Sequence, residues 1–232
     1  MSCILHIDTS TDACSVAVSQ DGAVIFHDER LEGPQHAQVI GGMVEDAISF
    51  TDSHAIPFDA VAVSAGPGSY TGLRIGASIA KGVCYGRDLR LIAIPTLELM
   101  CVPVLLGREL EDDALLCPMI DARRMEVYTA LYTRALKTVL ETEAKVIEPD
   151  SFHEQLDQHP VYFLGNGAMK CKDVINHPNA HFIDGIQPLA KWMSPLAEKR
   201  FFGEDFEDVA YFEPFYLKDF IAKKSKDLLH GL

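Results

Sequence analysis

The sequence predicts a mixed α/β fold, and two observations lead to that prediction. Three short apolar stretches open the chain and two strand–helix–strand crossovers follow them, an order that favours a mixed sheet with helices on its faces. The succession of apolar strand, aspartate, polar turn and second strand occurs around Asp8 and again around Asp121. This internal similarity is weak, and chance would produce it often.

The elements of the first half follow from apolar periodicity and from turn residues. Alternating or continuous apolar runs predict strands, whereas apolar residues three and four positions apart predict helices. Asp21 and Gly22 predict a hairpin turn between the second and third strands. The predicted strands are residues 3–8, 14–19, 23–27, 60–64 and 91–94, and the predicted helices lie within 39–48, 71–85 and 96–106.

The second half is predicted to combine strands with helices and to end in a mainly helical stretch. A polar, acidic segment at residues 107–113 marks the boundary between the halves. The predicted strands are 115–120, 127–132 and 161–164, a helix is predicted at 151–158, and 188–226 is predicted to be mainly helical with a loop at 211–214.

Composition predicts an ordinary globular protein. The chain has 232 residues, of which 48% are hydrophobic and 23% charged, enough for one or two domains with a substantial core. No apolar run reaches the roughly 18 residues of a membrane-spanning helix, and the first residues do not resemble a signal peptide. The six cysteines are scattered, so buried free thiols in a cytoplasmic protein are expected, with no membrane partner.

The charge balance argues against an independent nucleic-acid surface. The formal net charge is −14, whereas binding to phosphates needs clustered Lys and Arg. The dense basic cluster, Lys218 with Lys223, Lys224 and Lys226, lies near the C-terminus and is also typical of a solvated helix end. If RNA is involved in the function, a partner is expected to provide most of the contact.

A glycine-rich run at residues 66–76 follows the strand at 60–64 and leads into a helix. It lacks the Gly-Lys-Ser/Thr of a phosphate-binding loop, and Pro67 removes one N–H that a phosphate cradle would use. Gly72, Gly76 and Ala80 recur every four residues and predict a helix face that another helix can approach closely. That neighbour is either part of the same fold or a partner subunit, and the spacing leaves both open.

Four segments resemble the bacterial TsaB (YeaZ) family: residues 3–19, 66–76, 120–128 and 213–219. The resemblance extends from end to end and implies a two-lobed actin-like ATPase (ribonuclease H-like, ASKHA) fold with mixed sheets and a reduced second lobe. The implied division is an N-terminal lobe at 1–106, completed by a C-terminal helix at about 213–232, and a smaller lobe at 107–212.

The resemblance also implies a function. It indicates a non-catalytic subunit that pairs with a TsaD-like paralogue and works with a TsaE-like ATPase to place N6-threonylcarbamoyladenosine at position 37 of tRNA, which reaches the complex through the partners. ATP and a metal ion are implied for the partner subunits and no cofactor for this chain, which can also form a homodimer when alone. The implied partner interface comprises His36, Val39, Ile40, Met43, Gly72, Leu73, Gly76, Ala80 and Cys84.

Two turns resemble the nucleotide-binding turns of the superfamily. Asp8-Thr9-Ser10 follows the first strand, where an aspartate can orient metal and water, and Gly165-Asn166-Gly167 allows close backbone approach to a nucleoside. No Lys or Arg precedes Arg30 to bind phosphate, so Asp8 is interpreted as a turn cap in a degenerate site. An ATPase or small-molecule kinase with its own nucleotide site is the alternative.

No metal site or catalytic residue is predicted. TsaD-type proteins carry a His-x-x-x-His pair on a helix, whereas His36 is followed four residues later by Ile40. His36 is therefore interpreted as a residue that begins a helix or contacts a partner.

Overall fold

Two five-stranded sheets form the centre of the molecule. The structure is a computed structural model, and it describes residues 2–31, 33 and 36–218. In the described residues, the strands are β1 (Cys3–Asp8), β2 (Cys14–Gln20), β3 (Ala23–Arg30), β4 (Ala60–Gly66), β5 (Arg90–Pro95), β6 (Leu115–Asp121), β7 (Glu126–Thr133), β8 (Thr138–Val146), β9 (Val161–Leu164) and β10 (Ala180–Ile183). The α-helices are α1 (His36–Ser53), α2 (Tyr70–Arg87), α3 (Thr96–Gly107), α4 (His153–Leu156) and α5 (Ser194–Phe202).

The first sheet has the order β3-β2-β1-β4-β5. β1, β2 and β3 form an antiparallel meander, and β4 and β5 run parallel to β1. Leu5 and Ile7 pack on the face that α1 and α2 cover, while Ile4 points to the opposite face. The predicted strands, the three helices of this half and the hairpin turn at Asp21 and Gly22 are confirmed.

The second sheet repeats this arrangement. Its order is β8-β7-β6-β9-β10, with β6 to β8 antiparallel and β9 and β10 parallel to β6. Asp8 and Asp121 end the corresponding strands β1 and β6, so this internal similarity of the sequence reflects a duplicated unit. The predicted two-lobed actin-like ATPase fold with mixed sheets is confirmed.

The second unit is reduced in its helices. Where the first unit has the 18-residue helices α1 and α2, the second has the four-residue α4 and a three-residue 3₁₀ helix at Met169–Cys171. The helix predicted at 151–158 is therefore shorter than expected. Among the helices that the structure describes, none combines the length and the apolar character needed to cross a membrane.

The prediction of a mainly helical stretch at 188–226 is wrong for much of the described part. Its regular helices are α5 and a 3₁₀ turn at Ala190–Trp192. α5 packs its Leu196 and Ala197 on the first sheet, beside Ile92 and Ile94.

The end of the described chain is not helical either. Residues 213–218 pass along the end of the first sheet, where the N–H of Phe215 donates to the carbonyl of Ala65 at 2.7 Å. The remainder of the predicted C-terminal helix, from residue 219, lies outside the described residues, and the division into lobes at 106 and 212 stays a prediction.

Candidate functional site

The turn after β1 is enclosed by the beginning of α2. Asp8, Thr9 and Ser10 are fully buried. The hydroxyl of Thr9 donates to the carbonyl of Gly72 at 2.8 Å, and the N–H of Ser69 donates to the carbonyl of Ser10 at 2.7 Å. These bonds fix α2 directly on the turn that the sequence suggested as a nucleotide site.

Three glycines, two in α2 and one just before it, are required by close packing against this turn. A Cβ atom on Gly68 would lie 2.3 Å from the carbonyl oxygen of Ser10, and one on Gly72 would lie 2.1 Å from that of Thr9. A Cβ atom on Gly76 would lie 2.3 Å from the hydroxyl of Thr9. The predicted small-residue face is therefore in contact with a neighbour of the same fold.

This packing shows where the residues of the predicted partner interface lie within the chain itself. Of the predicted set, Val39, Ile40 and Met43 on α1 and Ala80 and Cys84 on α2 pack in the core that covers the first sheet. The assignment of this set to a partner interface stays a prediction, and exposed residues of the same helices offer a second surface. Buried in the chain are His36, Ile40, Met43, Gly72, Leu73, Gly76, Ala80 and Cys84, while Val39 is half-buried against the same core.

The Asp8 carboxyl does not suit a phosphate site. Its oxygens accept from the N–H and the hydroxyl of Ser10, at 3.3 and 2.9 Å, and Ser64 also hydrogen-bonds it. Burial raises the pKa of Asp8 to about 7, although these hydrogen bonds oppose the shift. A carboxyl that is enclosed and satisfied in this way fits the turn-capping interpretation.

The turn Gly165-Asn166-Gly167 is also explained by packing within the second unit. Gly165 has φ +99°, and a Cβ atom there would lie 2.5 Å from the carbonyl oxygen of Met119. The side-chain oxygen of Asn166 accepts from the N–H of Asp121 at 2.9 Å. This turn thus holds the end of β6, and it contacts the second sheet and α3.

His36 joins the start of α1 to the loop before β2. It is buried, and its Nε2 lies 3.2 Å from the carbonyl oxygen of Ala13. The prediction that it begins a helix is confirmed. Within residues 2–31, 33 and 36–218, no group of three or more His, Cys, Asp or Glu side chains is arranged to hold a metal ion.

A groove runs between α1 and α2 on their outward side. It has a volume of about 640 Å³, and its lining includes Ala37 and Gly41 from α1 and Arg74, Ile75 and Ile79 from α2. The groove is mixed in character, because apolar side chains and the charged Arg74 both line it. It provides a place for side chains from a second molecule.

At four glycine positions on these two helices, packing within the chain does not require glycine. Gly41 and Gly42 on α1 and Gly82 and Gly86 on α2 are exposed, and a Cβ atom on any of them would meet nothing within 4 Å. A glycine in a helix interior costs up to about 1 kcal/mol relative to alanine. Exposed glycines with open space above them therefore favour close approach of an external helix, and Gly82 and Gly86 were not singled out by the sequence analysis.

The family is shown by comparison with known proteins. A family model described as "TsaD: tRNA N6-adenosine threonylcarbamoyltransferase" matches residues 30–225. The tRNA threonylcarbamoyladenosine biosynthesis protein TsaB of Escherichia coli K12 is 36% identical over 229 residues, which cover 95% of this chain and 96% of that protein. The chain belongs to the TsaB (YeaZ) family, within the wider family that the TsaD model describes.

Further members of the TsaB family are similar over most of the chain. The TsaB protein of Haemophilus influenzae is 28% identical, with 95% of each chain covered. The structure of YeaZ from Pseudomonas aeruginosa has a TM-score of 0.73 at 25% identity and covers 94% of this chain and 100% of its own. A second structure from the same organism, described as similar to peptidase YEAZ, has a TM-score of 0.80 at 24% identity, with the same coverage. These likenesses agree with the duplicated fold.

Proposed function

We propose that the chain acts in tRNA threonylcarbamoyladenosine biosynthesis as a non-catalytic subunit that binds and activates a TsaD-type transferase. Membership of the TsaB family supports the pathway, because its curated relatives carry that name. The outward side of α1 and α2 supports the partnership. A TsaE-like ATPase and tRNA are proposed to join through the same complex, with ATP and the metal ion held by the partner subunits.

The observation that carries the partnership is the set of exposed glycines Gly41, Gly42, Gly82 and Gly86. Because glycine has no side chain, a partner helix can approach these positions with its backbone close to α1 and α2. Tyr85 stands beside them on α2 and is 88% exposed, as an aromatic anchor for a partner pocket would be. The same surface would serve a homodimer when the transferase is missing.

The non-catalytic part of the proposal is supported by the first-unit turn. Asp8 is buried and hydrogen-bonded to Ser10, and α2 packs on the neighbouring Thr9. The ATPase or kinase alternative would have to use a turn whose Thr9 carbonyl is in close contact with Gly72. The geometry therefore favours a binding role over a nucleotide site of its own.

Reconstitution tests the proposed function. Purified TsaD-type and TsaE-type partners are supplied with threonylcarbamoyl-adenylate and tRNA, and modification is measured with and without this chain. We expect modification to fall to background when the chain is omitted. Undiminished modification without it would contradict the proposal.

Glutamate at Gly82 is expected to block the partner without unfolding the chain. Gly82 is exposed with open space, and glutamate is a good helix former, so the free energy of unfolding should not fall. In a close helix contact the same side chain would clash, and we expect affinity for the transferase to fall on the order of a hundredfold. Titration calorimetry of Gly82→Glu with the purified partner measures this loss.

Gly107→Glu is the matched control. Gly107 is also exposed at the end of a helix with nothing near its Cβ position, but it lies on α3. The Gly107→Glu variant should bind the partner with the affinity of the wild type. Equal affinities for Gly82→Glu and the wild type would show that this side of α2 is not the interface.

A further inference from the structure

The turn between β6 and β7 presents two consecutive arginines in a strained backbone conformation. Arg123 has φ 74° and Arg124 has φ 50°, values in the left-handed region that long side chains rarely adopt. Both residues are exposed. Strain of this kind costs on the order of 1–3 kcal/mol per residue, so a purely structural turn would gain stability with glycine or asparagine at these positions.

Hydrogen bonds from Lys170 and to Asp121 hold the backbone of this turn. The ammonium group of Lys170 donates to the Asp121 carboxylate and to the carbonyl oxygens of Arg124 and Glu126, the last two at 2.7 Å. The Asp121 carboxylate also accepts from the N–H of Arg123 at 2.8 Å. Burial alone would raise the pKa of Asp121, but Lys170 and Arg123 outweigh it and lower the pKa. The two arginine side chains thus extend from a backbone that these hydrogen bonds hold in place.

The charges around the turn leave a local excess of positive charge. Lys170 pairs with Asp121, and Lys218 pairs with Glu126, so each acid that flanks the turn is already neutralised. Neither arginine forms an ion pair or a side-chain hydrogen bond within the described residues. By contrast, Arg30, Arg87, Arg134 and Arg200 each pair with an aspartate. A chain with a net charge of −14 thus keeps a local charge of about +2 at this turn.

We propose that Arg123 and Arg124 contact phosphate groups of RNA when the chain is assembled with its transferase. The arginine fork matches phosphate oxygens, and contacts of this kind position a nucleic acid without reading its sequence. RNA is favoured over a free nucleotide because the arginines stand on an exposed turn, whereas a small ligand is usually enclosed in a pocket. The proposal rests on the proposed function, because the acidic remainder of the chain would repel RNA unless a partner supplies further contacts.

The test compares RNA binding by the complex that contains the wild-type chain with that of the Arg123→Asn/Arg124→Asn variant. Asparagine tolerates the left-handed conformation, so the variant should fold at least as stably as the wild type. A labelled tRNA transcript is titrated between 50 and 200 mM salt. We expect affinity to fall roughly tenfold at 150 mM salt and the salt dependence to lose a slope of about 2, one for each phosphate contact.

Arg108→Asn is the control, because Arg108 is exposed, follows α3 in extended backbone and forms no ion pair within the described ranges. It should leave both affinity and slope unchanged. Equal RNA affinity and slope for the arginine-pair variant and the wild type would overturn the proposal. So would a loss confined to ATP or tripolyphosphate binding, which would point to a nucleotide instead.

Failure of this inference can be told apart from failure of the proposed function. Co-purification of each variant with the transferase is measured first, and Arg123→Asn/Arg124→Asn should co-purify normally. If the wild-type chain does not co-purify, the proposed function is contradicted. If it co-purifies and the complex with the double variant binds RNA with the same affinity and salt slope as the wild-type complex, only the inference is overturned.

Discussion

Alanine at Gly72 is expected to lower the free energy of unfolding by about 3 kcal/mol, a large share of the stability of a typical domain. Its Cβ atom would lie 2.1 Å from the carbonyl oxygen of Thr9, a backbone atom that cannot move without displacing the turn after β1. The carbonyl of Gly72 also accepts the hydroxyl of Thr9, so a shift of α2 would weaken that bond. Denaturant unfolding followed by circular dichroism measures the effect.

Gly82→Ala supplies the matched control in the same helix. Position 82 has open space around its Cβ, so alanine should raise the free energy of unfolding by about 0.5–1 kcal/mol. The two alanine variants should therefore change stability in opposite directions. If Gly72→Ala were as stable as the wild type, the close packing of α2 on Thr9 would be wrong.

Asparagine at Asp8 is expected to stabilise the chain at high pH and to change it little at pH 4. The native pKa of about 7 lies above the ordinary value of 3.8, so the folded chain holds a proton that the unfolded chain has lost. The stability of the wild type should thus fall as pH rises through this window, whereas asparagine does not titrate. The difference between the two should grow to about 4 kcal/mol by pH 8.

The comparison separates the effect of Asp8 from that of His6, another buried titratable group on β1. Burial lowers the pKa of His6 to about 3, so His6 makes wild-type stability fall as pH drops from 6.5. Both proteins contain His6, and its contribution cancels in their difference. Asp12→Asn, in an exposed position of the following loop, should stay within about 0.5 kcal/mol of the wild type. A difference between Asp8→Asn and the wild type that does not change with pH would contradict an enclosed carboxyl.

Much of the fold could be predicted from the sequence, because its strongest signals are local. Apolar runs and turn residues identify the strands of the first sheet, and the aspartates at 8 and 121 mark corresponding positions of the duplicated unit. The end of the chain could not be predicted in the same way. Residues 213–218 have composition compatible with a helix, but the hydrogen bond from Phe215 to Ala65 holds them along the sheet.

In the candidate site, the spacing of residues along the sequence did not decide which neighbours the glycines of α2 contact. Gly72 and Gly76 correctly indicated a close contact, but a four-residue repeat does not tell which side of a helix faces the core. α2 also carries Gly82 and Gly86 on its outward side, and only three-dimensional packing separates the two pairs. Likewise, the Asp8 turn has the form of a phosphate site in sequence, and its enclosure by α2 depends on contacts between residues more than 55 positions apart.

Hydrogen–deuterium exchange of the chain, free and bound to the TsaD-type transferase, tests the central claim most directly. We predict that the complex gains protection in peptides covering residues 37–48 and 71–86, where the exposed glycines of α1 and α2 lie. Residues 122–125 should remain unchanged until RNA is added. A stable complex in which exchange in both helices stays as in the free chain, with new protection elsewhere, would contradict the account.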